Sequence, residues 1–347
     1  MSARLRPPES ARATALAHPN IALIKYWGNR DPYWRWPANG SFSFNLDGLW
    51  TRTTVHFRAE LEQDVLWLHR RRVTGEGLRR VQRVLDAVRE QAGFTWKAEV
   101  ISENNFPMAA GIASSASAFA ALAVAAAAAA GLRLREPELS RLARLGSGSA
   151  ARSVPGGYVE WRVGAHEADS FAYTFAPAEH WALADCIAIV QETPKAIGSS
   201  AGHNLAETSP LQAARVADTP RRLALVRHAV QTRDFELLAQ VVEQDTHLMH
   251  AVMQTSTPPL LYWTPASVRV MQHVRAWRGQ GQPVAYTLDA GPNVHVLCPA
   301  DDAANVATAL AEVPGVQRVL IARVGGPARL LPPEQALSPK GPAASEG

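Results

Sequence analysis

Cysteine is almost missing: Cys186 and Cys298 are the only two in 347 residues. Two cysteines so placed build no disulfide framework and lack metal-ligand spacing, so each reads as a small buried hydrophobe in a reducing compartment. Lysine is scarce as well. Only Lys25, Lys97, Lys195 and Lys340 stand among 35 basic residues. A lysine kept in so arginine-rich a chain marks a place where a compact ammonium and a planar guanidinium do different work. Long apolar runs are absent. The nearest, from Ala116 to Leu132, is mostly alanine, too short and too weakly apolar to hold a bilayer position. The first fifteen residues carry Arg4, Arg6 and Arg12 without an apolar core or a cleavage pattern. They read as a loose arm on a cytoplasmic protein, not a secretory signal. Nor does one charge sign dominate: 31 acidic residues face the 35 basic ones, for a net charge of +4. That balance is a weak argument for nucleic acid and suits small anionic ligands equally well.

What is present is apolar surface. Apolar residues make up 47% of the chain and charged ones 19%, which supports a sizeable core and excludes general disorder. The length fits two ordinary domains or one large α/β unit. Period-two alternation in Ser41-Phe42-Ser43-Phe44-Asn45-Leu46, followed by Thr51 to Phe57, predicts two strands joined by a turn at Asp47-Gly48. Leu78, Val81, Val84, Leu85 and Val88 have helical spacing, and Trp96 to Ser102 reads as a strand. Helices are expected over 112–130, 136–145, most of 210–250, 266–278 and 303–310, strands over 158–163 and 186–190, and a hairpin from 285–288 and 294–297. The expected organisation is an arm at 1–12, one domain at 13–190, a helix-rich one at 191–326 and a mobile tail at 327–347. The class is α+β.

Four segments carry chemistry. From Pro107, small residues run through Gly111 to Ser114 and Ser115 and into an alanine-rich helix. Unpaired N–H groups and the dipole at such a helix start favour a phosphate, and the two hydroxyls can reach phosphate oxygens or Mg²⁺. The alternative is a small-residue helix packed tightly on a sheet, and the Walker lysine is missing. Ser147-Gly148-Ser149 with Arg152 makes a second anion cradle, or a plain loop. Asp289 ends an apolar strand ahead of Gly291-Pro292, either as an Asx-turn residue or as a carboxylate on a rigid support. Lys25 follows the apolar run Ile21 to Ile24 and, taken alone, reads as a snorkelling surface lysine. His247 and His250 have helical spacing with no third ligand evident, and read better as a solvated helix face than as a metal site.

In order along the chain, Asn20-Ile21-Ala22-Leu23-Ile24-Lys25-Tyr26-Trp27-Gly28, the stretch from Ser102 to Ser115, Gly146 to Ser153, Gly156 to Trp161 and Asp289 to Asn293 resemble the ATP-dependent mevalonate-phosphate decarboxylases of the GHMP kinase superfamily. The resemblance spans about residues 13 to 325. It implies an N-terminal domain of ribosomal-protein-S5-like type, a helix-rich C-terminal domain, and an active site between them. It also implies phosphorylation of a tertiary 3-hydroxyl by ATP with Mg²⁺, then loss of phosphate and CO₂ in isoprenoid biosynthesis. Homodimers are common in the family; no nucleic-acid or membrane partner is implied.

Carried over by position, Asp289 orients or deprotonates the hydroxyl, Lys25 stabilises the transferring phosphoryl group, and Arg152 holds the carboxylate with Asn20 nearby. Tyr26, Ser147, Gly148, Ser149 and Ser199 contact substrate. Ser102, Asn104, Gly111, Ser114 and Ser115 bind nucleotide, and no metal-ligand residue is assigned. Two departures stand out. Asn29 replaces a family lysine that reaches the substrate's diphosphate, and His203 replaces a methionine. Losing that cation leads to an expectation of mevalonate 5-phosphate as substrate, with mevalonate 5-diphosphate as the alternative. A mevalonate 3-kinase without CO₂ release and an RNA-binding S5-like protein are the remote ones.

Overall fold

The computed structural model describes residues 11–106, 114–192 and 198–339. The first half contains strands β1 (Arg12–Ala17), β2 (Asn20–Ile24), β3 (Asn29–Asp31), β4 (Trp36–Pro37), β5 (Ser41–Asp47), β6 (Thr51–Arg58), β7 (Val65–Leu68) and β8 (Arg71–Val73). Then come helix α1 (Glu76–Ala92), β9 (Lys97–Asn104), α2 (Ser114–Ala129), α3 (Glu136–Gly146), a 3₁₀ turn over Gly148–Ser153, β10 (Tyr158–Trp161) and β11 (Ala172–Ala176). The second half runs β12 (Leu183–Ile189), α4 (Ser199–Leu205), α5 (Gln212–Thr232), α6 (Phe235–Gln254), α7 (Pro265–Gly279), β13 (Ala285–Thr287), β14 (Val294–Pro299), α8 (Ala303–Ala311), β15 (Arg318–Val324) and β16 (Arg329–Leu331). The α+β class holds.

Two sheets organise these elements. A six-stranded sheet has the order β16-β1-β6-β9-β7-β8. The alanines of α2 are buried nearly all round, and they let the helix lie close on β1 and β6 of this sheet. An eight-stranded sheet runs β11-β10-β5-β15-β12-β14-β13, with β2 on β5. The chain turns at Asp47-Gly48 as expected, yet β5 and β6 do not pair. Each enters a different sheet, so the turn is the crossing between layers. The second sheet joins the two halves of the chain, because β5 pairs with β15. Among the described residues β12, which ends at Ile189, pairs with β14 and β15.

Within the segment expected as a mobile tail from residue 327, residues 329–331 form a strand. β16 pairs with β1, the Leu337 amide donates to Thr54 Oγ1, and Arg12 donates to the Leu337 carbonyl, so this segment closes the edge of the first sheet. Cys186 and Cys298 are buried and free. Among the described residues no helix is long and apolar enough to cross a membrane.

Candidate active site

Lys25 leaves β2 into the interior. Its side chain is 1% exposed, and Nζ donates to Asp289 Oδ1 at 2.6 Å. Asp289 follows β13, and its side chain keeps 26% exposure, so the carboxylate is the accessible half of the pair. Burial depresses the Lys25 pKa, with Arg152 adding to it, and Asp289 and Asp245 only partly offset this. At Asp289 burial pushes upward, but Lys25, His295 and Arg152 outweigh it and hold the carboxyl below its ordinary value. The Asp289 carboxylate therefore stays ionised through neutral pH, ready to accept a hydrogen bond.

Arg152 sits in the 3₁₀ turn after α3 and is also buried. Nε and Nη2 donate to Asn20 Oδ1 at 3.2 and 3.1 Å, and Nη1 donates to Ser41 Oγ at 2.7 Å. Asn20 is fixed in turn by its Nδ2 donating to the Ser149 carbonyl and to Ser153 Oγ. Among the described residues no carboxylate lies within ion-pair distance of this guanidinium. Burial pushes its pKa down to about 10, opposed chiefly by Asp289. A guanidinium bonded only to neutral acceptors and desolvated this far still favours an anion strongly.

Tyr26 forms the adjoining wall. Its ring stacks on His203 at 4.1 Å between centroids and meets Trp161 edge-on at 4.8 Å. The hydroxyl donates to Asn29 Oδ1, and burial pushes its pKa up to about 12. Gly148 lies against the ring: a Cβ there would come within 2.6 Å of the tyrosine oxygen, so a side chain would displace Tyr26. Gly28 has φ +90°, and its amide donates to His203 Nδ1 at 3.0 Å. Ser199, half-buried, opens α4, the helix that carries His203. Both departures from the family pattern thus pack around one tyrosine.

Ser102, Asn104, Ser114 and Ser115 line a cavity of about 180 Å³ between β7, β9, α1 and α2, with apolar walls that include Leu68, Val81 and Phe119. Ser115 and Ser147 hydroxyls meet at 3.1 Å, joining this cavity to the Ser147–Ser149 cradle. Gly111 lies outside the described residues. Among them no cluster of three or more His, Cys, Asp or Glu suits a metal ion, and Mg²⁺ bound with a nucleotide is held largely through the phosphates.

Sequence reasoning missed the support behind Lys25. Asp245 is fully buried, and its Oδ2 accepts from the Lys25 amide at 2.6 Å while Oδ1 accepts from Arg222 Nε at 2.8 Å. Arg215 and Asn39 both donate to the Lys25 carbonyl, at 2.7 and 2.9 Å. The available signal was a carboxylate at a position where helical spacing demands an apolar residue, beside Val241, Val242 and Met249 on α6.

His247 and His250 do not form the shared solvated face expected of them. His247 is exposed and bonds the Tyr286 hydroxyl through Nε2 at 2.7 Å. His250 is 1% exposed and packs on Trp263. Burial, reinforced by the Lys25 charge, pushes the His250 pKa down to about 3. Because the unfolded chain takes up that proton near pH 6.5, stability is lost as pH falls from 6.5 towards 3, by roughly 2 kcal/mol at pH 5. A urea midpoint that drops between pH 7 and 5, with a shallower drop in His250→Gln, is the expected result. Equal slopes in the two proteins would remove the assignment.

The chain matches two family models: the diphosphomevalonate decarboxylase-like N-terminal domain over residues 17–172, and the mevalonate 5-diphosphate decarboxylase C-terminal domain over residues 186–328. It is 38% identical to the diphosphomevalonate decarboxylase of Bos taurus over 321 residues, covering 86% of this chain and 79% of that one. To the Ganoderma lucidum protein of the same name it is 36% identical over 316 residues, covering 83% and 78%. Among solved structures, the mevalonate diphosphate decarboxylase from Enterococcus faecalis superposes with a TM-score of 0.86 at 38% identity, covering 92% of this chain and 98% of that one. A structure of MDDEF in complex with MVAPP, AMPPCP and magnesium gives 0.87 at 39% identity, with the same coverage of both chains.

Proposed function

The chain belongs to the diphosphomevalonate decarboxylase family, and from that premise we propose that it decarboxylates mevalonate 5-diphosphate at the expense of ATP. The observation that carries the chemistry is Arg152, a buried guanidinium bonded only to neutral groups among the described residues and lying close to the Lys25–Asp289 pair. A carboxylate taken from water into that site gains a desolvated charge-assisted partner.

Bound ATP with Mg²⁺ supplies the phosphoryl group and neutralises charge as it transfers. Ser102, Asn104, Ser114 and Ser115 would hold the nucleotide in their cavity. Asp289, ionised and accessible, accepts the hydrogen bond of the 3-hydroxyl and orients its oxygen. Lys25 sits against Asp289 with a charge that favours the negative transition state. Once the hydroxyl oxygen carries phosphate it becomes a leaving group. Arg152 then holds the carboxylate in the alignment that lets the C–CO₂ bonding pair form the new double bond as phosphate departs.

The expectation of mevalonate 5-phosphate rested on Asn29. The relatives reported above are named for the diphosphate, which supports the alternative. The monophosphate reading keeps one observation in its favour: Asn29 brings no charge and spends its carbonyl oxygen on Tyr26. Turnover with ATP and Mg²⁺, followed by ADP and CO₂ release, separates these readings. A kcat/KM at least tenfold higher for the diphosphate is expected. The reverse order assigns the monophosphate, and ADP release without CO₂ makes the protein a 3-kinase.

A further inference from the structure

The phosphate end of the substrate needs a cation, and position 29 does not provide one. We propose that Arg35, presented by the loop between β3 and β4, binds the phosphate end of phosphorylated mevalonate in place of the lysine absent at position 29. The proposal rests on the reading of the substrate as a phosphorylated mevalonate.

Arg35 is half-buried and has φ +49°, a left-handed conformation that a non-glycine residue adopts only when its surroundings hold it there. The surrounding loop enforces it. The Ala38 amide donates to the Gly28 carbonyl at 3.0 Å, the Trp34 amide to Asp31 Oδ1 at 3.0 Å, and Trp36 Nε1 to the Val163 carbonyl at 2.8 Å. Tyr33 lies beneath the Arg83 guanidinium at 4.5 Å, which bolts the loop to α1.

In that setting Arg35 uses only Nε, donating to the Leu145 carbonyl at 3.2 Å near the end of α3 and just ahead of Ser147. Among the described residues its terminal nitrogens have no acceptor, and no carboxylate lies within ion-pair distance. Neighbouring arginines are engaged elsewhere. Arg79 lies on Glu76, Arg144 on Glu167, and Arg30 over the Trp36 ring. Arg80 donates to the Gly146 carbonyl, covers Phe119 and lines the nucleotide cavity. Arg35 is also the charged group acting most strongly on the Tyr26 hydroxyl. Of these guanidiniums, that of Arg35 is the one which, among the described residues, rests on neither a carboxylate nor an aromatic ring, and its bond to the Leu145 carbonyl places it beside the serine cradle, near Tyr26, whose hydroxyl Asn29 has already taken. A planar fork there suits a phosphate bidentately, as an ammonium at position 29 would not.

The test compares calorimetric Kd values for mevalonate, mevalonate 5-phosphate and mevalonate 5-diphosphate in four proteins: wild type, Arg35→Gln, Arg35→Lys, and Asn29→Lys combined with Arg35→Gln. Steady-state kinetics and Tm are measured alongside. Arg35→Gln should weaken the better-bound phosphorylated ligand by at least about tenfold, raise its KM more than it lowers kcat, and leave mevalonate unchanged. Arg35→Lys should recover part of the loss, and adding Asn29→Lys to the Arg35→Gln background should recover it too. An unchanged phosphate affinity overturns the proposal. So does an equal loss for all three ligands with a lowered Tm, which would make Arg35 a cap on α3. If the wild type prefers the monophosphate, the diphosphate assignment fails while the Arg35 comparison is still read on the monophosphate. If the wild type binds neither phosphorylated ligand, both fall.

Discussion

Asp289→Asn is expected to lower kcat by roughly three orders of magnitude, within the range of removing a positioned general base, while the substrate Kd changes by less than about threefold. Asparagine keeps the shape and can still accept from Lys25 Nζ, which donates to the carboxylate at 2.6 Å in the wild type. Two properties are lost together. The 3-hydroxyl no longer meets an anionic acceptor, and Lys25 loses the main charge opposing its desolvation. The lysine pKa then falls further, which disfavours the ammonium that faces the transferring phosphoryl group. Because both losses act through one pair, Lys25→Met should cost about as much alone, and the double variant little more than the worse single. Single-turnover ADP release and calorimetric substrate binding read the two quantities separately. A kcat within tenfold of wild type in Asp289→Asn would exclude the carboxylate from the chemistry.

The pair was legible in the sequence only through the order of the segments around it. Lys25 after an apolar strand and Asp289 before a Gly-Pro turn each admit an ordinary structural reading, and 264 positions separate them. Local periodicity recovered most helices, along with the β13–β14 hairpin, because their partners are near in sequence. It missed β15 and β16. β15 lies between β12 and β5, and its pairing depends on residues far upstream. β16 has three residues, too few to show alternation, and is a strand only because β1 is beside it. The same limit hid Arg35: nothing in Pro-Tyr-Trp-Arg-Trp-Pro announces a left-handed arginine whose terminal nitrogens are uncommitted beside Tyr26. An apolar-spacing analysis also passes over Asp245, since it counts the residues that fit the stripe and not the one that breaks it.

Asp245→Leu is therefore expected to destabilise the protein by about 3–5 kcal/mol, the cost of removing one partner from a buried pair, seen as a Tm lower by roughly 5–10 °C. Arg222 is fully buried, and Nε loses its acceptor. Asp218, at 2.7 Å from Nη1, retains part of the pairing, which favours the lower end of that range. The Lys25 amide loses its acceptor as well, and in the interior an orphaned N–H costs about 1–3 kcal/mol. Stability and catalysis should then separate in the double variant Asp245→Leu, Arg222→Met. Replacing both charges with apolar side chains removes the stranded guanidinium, so Tm should return most of the way. The Lys25 amide remains without a carboxylate, so the main chain that aims Lys25 at Asp289 stays loosened and kcat should stay low. Recovery of both quantities would show that Asp245 only neutralises Arg222. Recovery of Tm alone would show that this helix positions Lys25 from behind.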